Sequence, residues 1–261
     1  MKLRILSDLH LEANPLSLPD VSCDVVILAG DIAPVRYHDV PVWARKQFGD
    51  TPILWVMGNH EYYGWIHGGG MQACLDHARA SARNHGVVVL EQESYVINDV
   101  HFLGCTLWTN FNLQDTPTES MLRARRGMGD FDGEIRLREA SGESRFFRPQ
   151  DSLEVHQRSV RWLEATLVNP RAAKTVVITH HAPHPRCEHS TFVGQGLSPA
   201  FCSDLGSLIE TYEPVLWVSG HTHASHDFKI GSTRLVSNQR GYRDVPEHVD
   251  APFNSRLVVD V

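Results

Sequence analysis

An α/β fold is predicted by two patterns that recur along the chain. The apolar runs Asp24–Ala29, Ile53–Met57 and Thr175–Thr179 lack polar alternation, as strands covered on both faces require. Nearly every such run then meets a Gly, Ser or Thr and presents Asp, Asn or His. Polar residues so placed collect outside the carboxyl ends of strands, where open α/β sheets bind ligands.

The first strand covers Leu3 to Leu6 and leads into Ser7-Asp8-Leu9-His10. Asp24–Ala29 is the second and ends in Gly30-Asp31; Pro41–Phe48 reads as a short helix. Ile53–Met57 is the third strand, followed by Gly58-Asn59-His60-Glu61, where the glycine permits a sharp turn. Gly68-Gly69-Gly70 forms a joint ahead of a helix from Met71 to Asn84, which Gly86 closes. Val87–Leu90 is a strand, and Tyr95–Ile97 with His101–Leu103 forms a hairpin across Asn98-Asp99. Residues 109–150 break the rhythm: they are polar and arginine-rich and show no sheet pattern. They predict an insertion over the sheet edge with one helix near Glu119–Arg126.

A helix from Leu153 to Val168 follows from the stripe Leu153, Val160, Leu163 and Leu167, with Asp151 and Glu154 as an acidic capping box. The strand Thr175–Thr179 ends in His180-His181. Ala200–Tyr212 reads as a helix, and Val215–Ser219 as a strand ending in Gly220-His221-Thr222-His223. His226–Ile230 and Arg234–Ser237 make a hairpin, and Arg256–Val261 is the last strand. No repeat or linker divides the chain, so one domain over residues 1–261, carrying the 109–150 insertion, is expected.

A chain of 261 residues, 42% hydrophobic, can bury a sizeable core. Its net charge of -7 argues against nonspecific binding to nucleic acid, which needs a basic face. No apolar run reaches the ~18 residues of a membrane span, and the N-terminal apolar stretch is too short for a signal peptide. The five scattered cysteines form no CxxC pair and point to reduced thiols and a cytoplasmic location.

Asp8, His10, Asp31, Asn59, His60, His180, His221 and His223 are the candidate site. Each alone reads as a turn or a cap. Together, imidazoles and carboxylates suit zinc, iron or manganese, and the set is too large for one tetrahedral ion. It suits two ions that share a bridging ligand.

Asp8-x-His10, Gly30-Asp31, Gly58-Asn59-His60-Glu61, His180 and Gly220-His221-x-His223 resemble, in order and spacing, the motifs of the calcineurin-like metallophosphoesterases. The resemblance implies a two-sheet β-sandwich flanked by helices, a four-layer α/β/β/α arrangement, around a two-metal site. It implies that Asp8, His10 and His223 hold the first ion, that Asn59, His180 and His221 hold the second, and that Asp31 bridges them. The family's active-site histidine corresponds to His60. Physical chemistry agrees, since a carboxylate can serve two cations and a neutral Asn59 amide adds no charge to repel a phosphate. His60 could protonate a departing alkoxide.

The expected activity is hydrolysis of phosphate esters, with phosphodiesters of small or nucleotide substrates favoured, through a metal-bridging hydroxide. A phosphomonoesterase, a protein phosphatase or a non-catalytic scaffold are the alternatives. A scaffold would be expected to lack His60 or several ligands, and this chain keeps all of them. Many relatives carry an acid three residues after the bridging Asp, which orients the active-site histidine; here that position is Pro34. The protein-phosphatase motif is therefore absent, and the partner of His60 is open. His181, Arg126 and Arg240 are expected near the substrate, with Asn59 and His60. Glu61 is expected to hold its loop through backbone hydrogen bonds, and His67 reads as an ordinary surface or core residue.

Overall fold

A computed structural model describes residues 1–13, 15–66, 69–242 and 252–261; His67, and Gly68 of the expected glycine joint, lie outside them. The strands are β1 (Lys2–Leu6), β2 (Val25–Ala29), β3 (Ile53–Val56), β4 (Val87–Val89), β5 (Glu93–Ile97), β6 (Val100–Cys105), β7 (Arg136–Arg138), β8 (Ser144–Phe146), β9 (Lys174–Thr179), β10 (Leu216–Val218), β11 (His226–Ile230), β12 (Thr233–Ser237) and β13 (Val258–Asp260). The helices are α1 (Val40–Phe48), α2 (Met71–Asn84), α3 (Pro117–Gly127), α4 (Pro149–Leu167), α5 (Ser198–Phe201) and α6 (Gly206–Tyr212).

One sheet has the order β13-β1-β2-β3-β4 and the other β11-β12-β10-β9-β6-β5. Within each the central strands are parallel, and the antiparallel members β13, β11 and β5 stand at edges. Alternate side chains explain why the sheets face one another. Leu3, Ile5, Val25, Ile27 and Val56 of the first sheet join Phe102, Val176, Ile178 and Val218 of the second in one buried cluster. The side chains between them point outward. Val26, Leu28 and Trp55 pack with Val40 and Ala44 of α1 and Ala78 of α2. Leu103, Val177 and Trp217 pack with Leu163 of α4 and Ile209 of α6. Burial on both faces is the reason these strands read as unbroken apolar runs, and the result is the expected four layers.

The carboxyl ends of β1, β2, β3, β9 and β10 meet at one edge of the sandwich. The Ser7 N–H donates to Asn238 O at 3.1 Å and the Gly220 N–H to His180 O at 2.8 Å. These bonds stitch together the loops that carry the candidate site.

Three local expectations change. The expected helix over Ala200–Tyr212 is two short helices, α5 and α6. Between them the backbone turns to residues 182 and 183: Ser203 N–H donates to Ala182 O and Leu205 N–H to Pro183 O. The helix expected from Leu153 begins at Pro149, and Asp151 sits inside its first turn, accepting from the Arg148 N–H at 2.8 Å. Within residues 109–150, β7 and β8 form a small hairpin in addition to α3, and Phe131, Ile135 and Phe147 from this stretch enter the core, the two phenylalanines against Phe111 and Trp108.

Candidate functional site

The structure gathers Asp8, His10, Asp31, Asn59, His60, His180, His221 and His223 at the common strand edge. All are buried except His60 and His223, which are 17% and 14% exposed. Asp8, His10, Asp31, His221 and His223 have φ of 51°, 43°, 52°, 69° and 52°. That left-handed region is uncommon for residues with a Cβ, and such strain persists where the surroundings impose it, typically at functional sites. Gly58 is required by proximity, since a Cβ there would collide with Asp31 Oδ1.

Among the described residues, three groups of ligand-capable atoms form, each with its members within 4.8 Å of one another: Asp8, His10 and His223; Asp31, His180 and His221; and, between them, His10, Asp31 and His60. Asp31 Oδ2 lies 3.4 Å from His180 Nε2 and 3.9 Å from His10 Nε2, so a single oxygen faces the first two groups. Asp31 Oδ1 is engaged elsewhere, accepting from the His60 N–H at 2.9 Å.

The donor chemistry fits cations. His180 Nδ1 bonds Ala29 O at 3.0 Å, which fixes the ring and turns Nε2 toward the centre. Nε2 faces Asn59 Oδ1 at 3.0 Å, His221 Nδ1 at 3.1 Å and Asp31 Oδ2 at 3.4 Å. His10 Nδ1 bonds Glu12 Oε1 at 3.0 Å, and its Nε2 lies 3.1 Å from His223 Nε2. Acceptors converging on one another so closely repel unless a positive charge lies among them. Protons on the histidines are one source of that charge and metal ions are the other. Histidine ligands whose second nitrogen is held by a carbonyl or a carboxylate are the usual metal arrangement.

The carboxylates set the electrostatics. Burial disfavours a charged His180, yet the Asp31 charge and hydrogen bond outweigh it and raise its pKa to about 10. His60 is likewise held up to about 9: Asp31 and the hydrogen bond to Glu12 overcome its burial. His221, buried and beside His181 and His180, is pushed well below the usual imidazole range and stays neutral.

Glu61 accepts from the N–H groups of Gly58 at 2.7 Å, Asp31 at 2.9 Å and Ile32 at 2.7 Å, tying the loops after β2 and β3 together. Burial and the Asp31 charge raise its carboxyl to about 7. Asn59, His60 and Arg126 line a cleft of about 750 Å³, with Tyr63, Phe192 and Tyr242. His181 does not line it. That residue is buried beneath His221, at 4.1 Å between ring centroids, and its Nδ1 bonds Thr106 O. Arg240 donates to Leu9 O at 2.9 Å and is likewise not among the lining residues.

Three contributors were not legible as site residues. Glu12 continues the alternation of Asp8 and His10, and that spacing is the signal that could have found it. Asp130, buried in the 109–150 segment, accepts from Asn59 Nδ2 at 2.8 Å and from the Tyr63 hydroxyl. Gln239 accepts from the His223 N–H. The last two carry no local sequence signal.

Among known proteins, a curated protein of Acanthamoeba polyphaga mimivirus, described as uncharacterized, is 23% identical over 99% of this chain and 96% of its own. The crystal structure of phosphopantetheinyl hydrolase from Mycobacterium tuberculosis has a similar fold, with a TM-score of 0.66 and 17% identity, covering 94% of this chain and 93% of that one. The profile of the family described as "Calcineurin-like phosphoesterase" matches residues 1–225, which include every residue of the candidate metal set. On that match the chain belongs to the calcineurin-like phosphoesterase family.

Proposed function

We propose that this phosphoesterase cleaves phosphodiesters of small or nucleotide-sized substrates at a centre for two metal ions. Asp8, His10 and His223 would hold one ion and Asn59, His180 and His221 the other, with the Asp31 carboxylate facing both groups. The observation that carries the reading is the convergence of lone pairs on these two groups, with one Asp31 oxygen facing both.

Bound ions supply positive charge to the phosphoryl oxygens and acidify an attacking water. The chain's own residues do the rest. Buried carboxylates of Asp8 and Asp31 offset the charge of the cations, and the Asn59 amide fills its position without repelling a phosphate. His60, at the cleft wall and held charged by Asp31 and Glu12, donates its proton to the leaving oxygen. The cleft extends well beyond the room a phosphate needs, past Tyr63 and Arg126 to Phe192 and Leu197. That space accommodates an organic group on each side of the phosphorus, and it favours a diester over a monoester. The 109–150 segment, which supplies Arg126 and Asp130, is a cap on this cleft.

Protein purified without chelators and assayed with mono-, di- and triesters tests the reading. Greater turnover of aryl diesters than monoesters is expected, abolished by chelator and restored by manganese or zinc. A monoester preference would make the enzyme a phosphomonoesterase, and turnover untouched by chelator would overturn the metal centre.

A further inference from the structure

His60 lacks the acid that orients its counterpart in many relatives, because Pro34 stands at that place in the loop after β2. The loop after β1 runs beside it: His10 N–H donates to Asp31 O at 3.1 Å and Leu11 N–H to Ile32 O at 3.0 Å. Glu12 lies one residue further along this pairing. Its Oε1 sits 3.0 Å from His10 Nδ1 and 3.5 Å from His60 Nδ1. Three further contacts confine the same ring. Tyr63 stacks on its face at 4.2 Å and 24°, the His60 N–H is fixed by Asp31, and the Tyr242 hydroxyl lies 3.2 Å from Nε2.

Taking the phosphoesterase reading as its basis, we propose that Glu12 is the positioning residue of His60, a carboxylate delivered from the loop after β1 in place of the missing one after β2. Glu12 fixes Nδ1, and fixing one nitrogen of an imidazole aims the other. Nε2 then faces the cleft, where the Tyr242 oxygen takes the hydrogen-bond position that a leaving oxygen takes during reaction. A competing role for Glu12 is service to His10 alone, since the same oxygen holds both rings. The two roles separate chemically. Loss of a support for His10 weakens metal retention for every substrate, whereas loss of aim at His60 matters only where the leaving group needs a proton.

The test compares methyl phenyl phosphate with methyl 4-nitrophenyl phosphate, which share one arm and differ in leaving-group basicity. Glu12→Ala should lower kcat about 100-fold on the phenyl ester and about fivefold or less on the nitrophenyl ester, with KM and metal content unchanged. Glu12→Gln, which keeps volume and one acceptor, should recover part of the loss. Adding Glu12→Ala to His60→Ala should cost nothing further, because one function is removed twice. Equal loss on both esters, additive losses in the double variant, or loss of metal that accounts for the defect would overturn the proposal. A wild-type protein inactive on both esters would sink the phosphoesterase reading instead. Nitrogen-15 NMR of the histidine rings then decides Glu12 separately. The His60 signal, assigned by its absence in His60→Ala, should move in Glu12→Ala, and an unmoved signal would overturn the positioning role.

Discussion

Asp130 decides which end of the Asn59 amide faces His180. It accepts from Asn59 Nδ2 at 2.8 Å, so Oδ1 points inward to 3.0 Å from His180 Nε2. Asp130 is fully buried, and burial raises its carboxyl above the usual range. With the carboxyl removed, the amide can present its N–H₂ to the lone pairs of His180 and His221. Asp130→Ala should therefore weaken metal binding at that position by about 10- to 100-fold, as loss of an outer hydrogen-bond partner generally does. Activity titrated against added metal measures it, and an unchanged midpoint would separate Asp130 from the site.

Arg126 lines the cleft at the end of α3. Arg126→Ala should raise KM about fivefold for diesters with an anionic second arm and leave kcat unchanged, as loss of uniform binding does. Steady-state kinetics with charged and neutral arms checks it. Equal effects on both would place Arg126 outside recognition.

His156 is buried, with Nδ1 on Trp108 O at 3.2 Å, and desolvation lowers its pKa from 6.5 to about 4. The unfolded chain therefore binds a proton below pH 6.5 that the folded chain refuses until about pH 4. Its stabilising contribution is complete above pH 6.5 and is lost progressively as pH falls to 4, amounting to about 2 kcal/mol by pH 5. Urea unfolding at pH 7 and pH 5 should show that loss in wild type. His156→Gln, unable to titrate, should flatten the profile over this interval.

Phe102 is fully buried where the two sheets meet. Phe102→Ala should destabilise by about 3–5 kcal/mol, and denaturant unfolding reads it directly. A loss under 1 kcal/mol would mean that the sheets close over the gap.

Much of this organisation is legible in the sequence. The strands on both sheets announce themselves because helices cover their outer faces and the sheets cover their inner ones. Asp8, Asp31, Asn59, His180 and His221 follow strand ends, so local pattern sufficed to gather them. What escaped was set by contacts distant in sequence. Asp130 reaches Asn59 from 71 residues away, and the hairpin of β7 and β8 is too short for alternation to show. His181 looked like a cleft residue because it adjoins His180, but its ring packs beneath His221 with Nδ1 on Thr106 O, a contact set by residues far away in sequence. The helix expected over residues 200–212 fails at Cys202–Leu205, whose backbone bonds residues 182 and 183.

The two-ion centre around Asp31 is tested most directly by elemental analysis of chelator-free protein, wild type beside Asp31→Ala. Two ions per chain in wild type are expected, with both affinities reduced in Asp31→Ala and ester hydrolysis down by about 100-fold or more. At most one ion in wild type, or two retained at full strength without Asp31, would contradict a shared centre.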